Sequence, residues 1–141
     1  MKAISLLQPW ATLVVIGVKT IETRSWGTKY RGTILIHASQ GKAGSIFADE
    51  LPFKKYIPEF NKLPFGAIIG QVIITDVIRI ETLEMTDELI NRLTMEEKAF
   101  GDYSEGRYAW IMKDSKQFDK PIPTRGTLSI WEYPAENLLL K

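Results

Sequence analysis

The stretch Ala67-Ile68-Ile69-Gly70-Gln71-Val72-Ile73-Ile74-Thr75-Asp76-Val77-Ile78-Arg79-Ile80 decides the fold class. Isoleucine and valine fill both its odd and its even positions, and β-branched side chains favour the pleated backbone of a strand. Apolarity on both faces of so long a strand fits a curved strand serving a closed or nearly closed barrel. Outward from it, Thr33 to Ala38 reads as a second strong strand, bounded by Gly32 and the turn Ser39-Gln40-Gly41. Ile21 to Arg24 alternates as a strand does. Ala3 to Leu6, Tyr108 to Met112 and Thr127 to Trp131 supply further short strands. Between the first two lies a helix: Pro9 suits its first turn, Gly17 stops it, and Trp10, Leu13 and Val14 share a face.

Ala43 to Leu51 reads as a short helix ended near Pro52, and Phe53 to Pro64 as irregular, with Pro58 and Pro64 as breakers. Thr86 to Arg92, capped by Thr86, and Met95 to Phe100 read as two more short helices. Strands outnumber helices, and the helices are inserted rather than regularly alternating. The expectation is therefore an α+β domain spanning residues 1–141, without repeats or linkers, and not a doubly wound sheet.

Composition is that of an ordinary globular protein, with 45% apolar and 25% charged residues. The absence of cysteine excludes disulfides, thiolate metal sites and a cysteine nucleophile, and fits a cytoplasmic setting. Gln8 and Pro9 interrupt the apolar start before an h-region of normal length, and no apolar run approaches the roughly 20 residues of a spanning helix, so no membrane association is expected. Net charge is +1, too little for a protein that coats long phosphate backbones. Its distribution is uneven. Residues 1–44 carry six basic side chains against one acidic, and residues 45–106 six basic against twelve acidic. That pattern points to a local anionic ligand near the first third of the chain.

Several chemistries are missing from the sequence. It holds no G-x-G-x-x-G and no Walker A motif, since Gly41-Lys42 lacks the upstream glycine and the magnesium-holding hydroxyl. A serine triad would have to use His37, the one histidine, and no G-x-S-x-G surrounds any serine. No EF-hand spacing exists, and neither a metal nor a cofactor is implied.

What remains is a density of polar groups between Gln8 and Ser39. Glu22 and Arg24 point to one side of their strand, because residues i and i+2 share a face. Lys19 and Arg31 lie nearby, and the next strand carries His37 and Ser39 in one alternation. Lysine and arginine meet phosphate, glutamate accepts from a base amino group, and aromatic rings stack on bases.

Ser5-Leu6-Leu7-Gln8-Pro9-Trp10-Ala11, the pattern G-x-K-x-x-E-x-R at Gly17, Lys19, Glu22 and Arg24, Tyr30-Arg31-Gly32 and Ile36-His37-Ala38-Ser39 together resemble the ASCH family. Leu63 to Gly70, Phe100-Gly101-Asp102-Tyr103 and Gly106-Arg107-Tyr108-Ala109-Trp110 extend the resemblance along nearly the whole chain. It implies a PUA-like, mixed but mostly antiparallel β-barrel with short helices around it, and a cleft beside the first helix. It also implies RNA, a nucleoside or a nucleotide as ligand, with Gln8, Trp10, Lys19, Glu22, Arg24, Arg31, His37, Ser39 and Tyr108 as candidate contacts. Lys19 and Arg24 would hold phosphate or a carbonyl, and Glu22 would read a donor edge.

Two other functions are open to a chain with these residues. One is a hydrolase of the same fold, acting on an acylated nucleoside or on RNA, with Lys19 and Glu22 as acid–base pair. Family members that hydrolyse acetylated cytidine use a threonine three residues after the lysine, where this chain has Glu22. The other is a protein-interaction module in RNA processing or transcription that uses Glu96 and Glu97. Each residue also has a plainer reading. Trp10 packs with Leu13 and Val14, the Lys19–Glu22–Arg24 group is a surface ion-pair cluster, and His37 is a satisfied structural histidine. Arg31 borders a turn, Trp110 on the Tyr108 strand is core, and the acidic run from Glu81 to Glu105 is a solvated helical face.

Overall fold

The computed structural model describes residues 1–82 and 87–139. Strands β1 (Lys2–Leu6), β2 (Ile21–Arg24), β3 (Gly32–Ala38), β4 (Ala67–Arg79), β5 (Tyr108–Pro123) and β6 (Ile130–Glu132) form one sheet in the order β2-β5-β4-β3-β1-β6. Pairing is antiparallel throughout, save that β1 runs parallel to β3. The expected α+β architecture, mostly antiparallel with inserted helices, is what forms. The barrel is a loose one: the sheet order ends at β2 and β6, and no pairing among the described residues joins them.

The double-sided apolarity of β4 has a local cause. Pairing shifts register near Ile69 and Gly70 against both neighbours, and relative to β3 the strand carries one extra residue there. Ala67 and Ile69 before it, and Val72 and Ile74 after it, consequently meet in one core despite their opposite parity. Ile68 faces the opposite way, packing with Ala3, Leu35 and Tyr133. Its second core is covered by Leu138 of α6 (Glu136–Leu139), a helix the sequence reading does not foresee.

Helix α1 (Trp10–Val15) lies across the sheet, with Ala11, Val14 and Val15 in the main core and Leu13 turned outward to Phe53 and Phe100. The helix expected over Ala43 to Leu51 is a single turn, α2 (Ser45–Ala48), and the supposedly irregular stretch after it contains α3 (Phe53–Tyr56) and a 3-10 turn at Phe60–Lys62. Their shortness follows from Pro52, Pro58 and Pro64, each of which removes a backbone donor. Helices α4 (Asp87–Arg92) and α5 (Met95–Ala99) precede β5. The proposed Thr86 cap lies outside the described residues; Thr94 caps α5, accepting from the Glu97 amide. β5 runs far beyond the expected Met112, because β4 offers it a ladder as far as the Ala67–Pro123 pair. No described helix is long and apolar enough to cross a membrane.

Candidate functional site

The turn after α1 sets the register of β2. Gly17 adopts φ +83°, a conformation costly for other L-residues, and the amides of both Val18 and Lys19 then donate to the Leu13 carbonyl. Lys19 is thereby placed two residues before β2. Its side chain is fully buried, its ammonium donates to the Ile21 carbonyl, and the nitrogen sits 3.5 Å from Glu22 Oε1. Glu22 Oε1 also accepts from the Thr23 amide at 3.0 Å, while Oε2 lies 3.9 Å from the Arg24 guanidinium. Lys19, Glu22 and Arg24 form one chain of charge, from a buried cation through a carboxylate to a half-buried cation.

Arg24 lies 5.2 Å from the centre of the Trp26 ring. Desolvation pushes its pKa down; the Glu22 carboxylate opposes that and Arg107 adds to it. Its Nε is buried without a hydrogen-bond partner among the described residues. Arg107 reaches the same place from the start of β5, donating to the carbonyls of Thr23 (3.1 Å) and Asp102 (3.2 Å), with the Asp102 carboxylate at 3.6 Å.

These groups border a cleft of about 440 Å³. On its other side stands Trp10, whose indole N–H donates to the Phe100 carbonyl at 2.9 Å and whose ring meets Phe47 at 5.2 Å and Phe53 at 5.9 Å. Ser5 and Ser39 complete the rim. An aromatic wall facing two guanidiniums and two carboxylates can hold a flat, hydrogen-bonding ring and an attached anion.

Of the residues named from sequence, Trp10, Glu22, Arg24 and Ser39 line this cleft, and Lys19 lies behind Glu22. The others stand apart. Gln8 is buried with its amide committed, accepting from the Thr12 amide and donating to the Pro64 carbonyl, both at 2.9 Å. Arg31 is exposed, bonded to the Thr28 and Tyr30 carbonyls and paired with Asp76 at 3.4 Å. Tyr108 packs on the core from the side of Arg79, whose guanidinium is 5.5 Å from its ring. His37 lies in a neighbouring cavity: the Thr124 carbonyl can only accept, so Nε2 carries the proton (2.8 Å) and Nδ1 accepts from the Ser5 hydroxyl (3.0 Å).

The expectation that the acidic run is solvated fails at Glu97, which is only 3% exposed. Its carboxylate accepts from the amides of Thr20 and Ile21 at about 3 Å, which pins the start of β2. Burial pushes its pKa up, against the pull of those amides and of Lys19. The signal that could have revealed it is spacing: Glu97 stands one turn before the buried Phe100, on the inner face of α5. Arg107 has one local signal in the sequence, its neighbour Gly106, whose φ of +87° marks the turn that delivers it.

Comparison with known proteins bears on this arrangement. The ASCH domain model matches residues 4–122. Activating signal cointegrator 1 of Homo sapiens is 28% identical over 135 residues, and that of Mus musculus 27%; each match covers 92% of this chain and 22% of the relative. The chain thus spans about a fifth of the length of these relatives. The crystal structure of ASCH from Zymomonas mobilis superposes with a TM-score of 0.60 at 18% identity, covering 98% of this chain and 90% of that one. A mutant of the same protein gives 0.59 at 19% identity, over 99% and 94%. At such identities the likeness concerns the fold alone. With most of its length matched by the domain model and its sheet shared with solved members, this chain belongs to the ASCH-domain family.

Proposed function

We propose that this protein is an RNA- or nucleotide-binding ASCH module whose ligand enters the cleft between Trp10 and Arg24. One observation carries the reading. Glu22 and Arg24, a fixed acceptor and a fixed donor, open together into a cavity walled by aromatic rings and held from behind by a buried lysine. A base needs such a pair of edge contacts and an apolar wall, and the two guanidiniums suit the phosphate attached to it. The cavity volume is that of a small-ligand site.

A second reading shares the site. Because Glu22 lies between the Lys19 ammonium and the cleft, it is placed to take a proton from a water attacking a bound amide or phosphodiester, with Lys19 balancing its charge. A protein-interaction role through Glu96 and Glu97 has less support. Glu97 is buried, and Glu96 is already engaged by Lys55 (3.2 Å) and Tyr56 (2.6 Å).

The test is a thermal-shift screen of ribonucleosides, ribonucleoside monophosphates and acetylated cytidine against the wild type, Arg24→Gln and Lys19→Met. Ligand at a hundred times its Kd stabilises a native site by about 2.7 kcal/mol. The expected outcome is a shift for the wild type that Arg24→Gln loses. Turnover of a hit that disappears in Lys19→Met would select the hydrolase. No shift at any concentration would remove the nucleotide reading.

A further inference from the structure

We infer that the ligand is not a lone nucleotide but a phosphodiester-linked strand of at least two ribonucleotides, one unit lying in the cleft and the next running over Thr124–Leu128, with Arg125 as its phosphate anchor. This rests on the nucleotide reading of the cleft and extends it.

The cleft does not end at its serine rim. Ser5 and Ser39 also line a second cavity of about 550 Å³, so the two spaces adjoin at these serines. The far wall of the second cavity is the segment after β5, and it is anchored. The Thr124 amide donates to the Gly66 carbonyl at 3.1 Å, the Gly66 amide donates to the Ala38 carbonyl at 2.7 Å, and the Thr124 carbonyl accepts from His37. His37 is itself held by Ser5 and by the edge-on Trp131 ring, 5.6 Å away. A wall tied through both the amide and the carbonyl of Thr124 presents its next residue, Arg125, beside that anchor.

The two cavities differ in chemistry. The first offers aromatic rings, and each of its guanidiniums has a carboxylate within 4 Å. The second offers hydroxyls, Gln40 and Arg125, and among the described residues no carboxylate lines it. Arg125 is exposed, and its guanidinium has no ion-pair or hydrogen-bond partner among the described residues. The uncompensated positive charge therefore sits beyond the compartment that a single base would fill. An apolar-walled pocket followed by a polar trough with an unpaired guanidinium matches a single strand that seats one base and trails its backbone. The acidic balance of residues 45–106 disfavours phosphate on the other side, which keeps the bound strand short.

Isothermal titration of the whole chain with adenosine, cytidine, guanosine and uridine, and with the corresponding homodinucleoside monophosphates, tests this. The expected result is a dinucleotide that binds about tenfold tighter than its own nucleoside, a charge-assisted contact's worth. Arg125→Gln, a surface change whose folding is verified by its unaltered melting temperature, should abolish that gain and leave nucleoside affinity within about twofold. It should also lower the slope of log affinity against log salt by about one for the dinucleotide alone. If nucleosides bind and dinucleotides bind no better, or if the gain survives Arg125→Gln, the extended strand is wrong while the cleft reading stands. If neither class binds, the cleft reading fails and takes the strand with it.

Discussion

His37 sits where three elements meet, and its ring has no spare nitrogen. Nε2 donates to Thr124, Nδ1 accepts from Ser5, and Trp131 donates to the same serine oxygen at 3.3 Å. Burial pushes its pKa below the ordinary 6.5, with the Thr124 bond opposing the shift. The folded state therefore binds this proton less readily than the unfolded chain. Stability should be intact above pH 6.5 and fall as pH drops below it, by at most about 1.4 kcal/mol per unit, until the lowered folded value is passed. Urea melts of wild type and His37→Gln from pH 7.5 to 4.5 check the sign: the wild type should lose ground relative to the variant as the medium acidifies. At this scale the alternation of β2 was enough to put Glu22 and Arg24 on one face, since strand geometry fixes it. Glu97 was hidden because it stands between two other charged residues, Glu96 and Lys98, and only its distance from Phe100 sets it apart. Arg31 and Tyr108 share their chemistry with true ligand contacts, and nothing local tells that their partners are Asp76 and Arg79.

Among the elements, β4 repays attention because its bulge carries α1. A Cβ built on Gly70 would lie 2.3 Å from the Lys116 carbonyl oxygen and 2.7 Å from a Val15 methyl, so neither the β5 ladder nor the helix leaves it room. Gly70→Ala should cost about 2–4 kcal/mol, read as a lower urea midpoint with an unchanged m-value. The same bulge explains why the sequence misleads here. A run that is apolar at both parities looks two-sided, whereas the extra residue turns much of it to a single core. β5 misleads in the other direction. Lys113 to Lys120 is polar and mostly exposed, so it shows no strand pattern of its own; its partner strand imposes the conformation, with Asp114 at φ +51° absorbing the irregularity.

For the whole molecule the decisive fact is that β1 is interior, lying between β3 and the late strand β6. The family match ends at residue 122, yet the segment beyond it supplies the wall of the second cavity, the His37 partner, and Tyr133 and Leu138 of the second core. Removing residues 124–141 should therefore do more than trim a tail. The shortened chain should melt well below the parent and associate through the bared edge of β1, visible as higher species in size-exclusion chromatography. If its elution matched the parent's, with an unchanged melting temperature, β6 would be decoration. The fold class was legible because strand and turn signals are local. The sheet order was not, since which strand neighbours which depends on pairings between residues more than a hundred apart, such as Lys2 with Glu132. That pairing has a consequence for synthesis. At roughly 5–20 residues per second, β1 leaves the ribosome on the order of ten seconds before β6 can cover it. For that interval the nascent chain carries a strand edge open to any passing polypeptide, and a holdase that shields it would raise the yield of folded protein without touching the finished molecule.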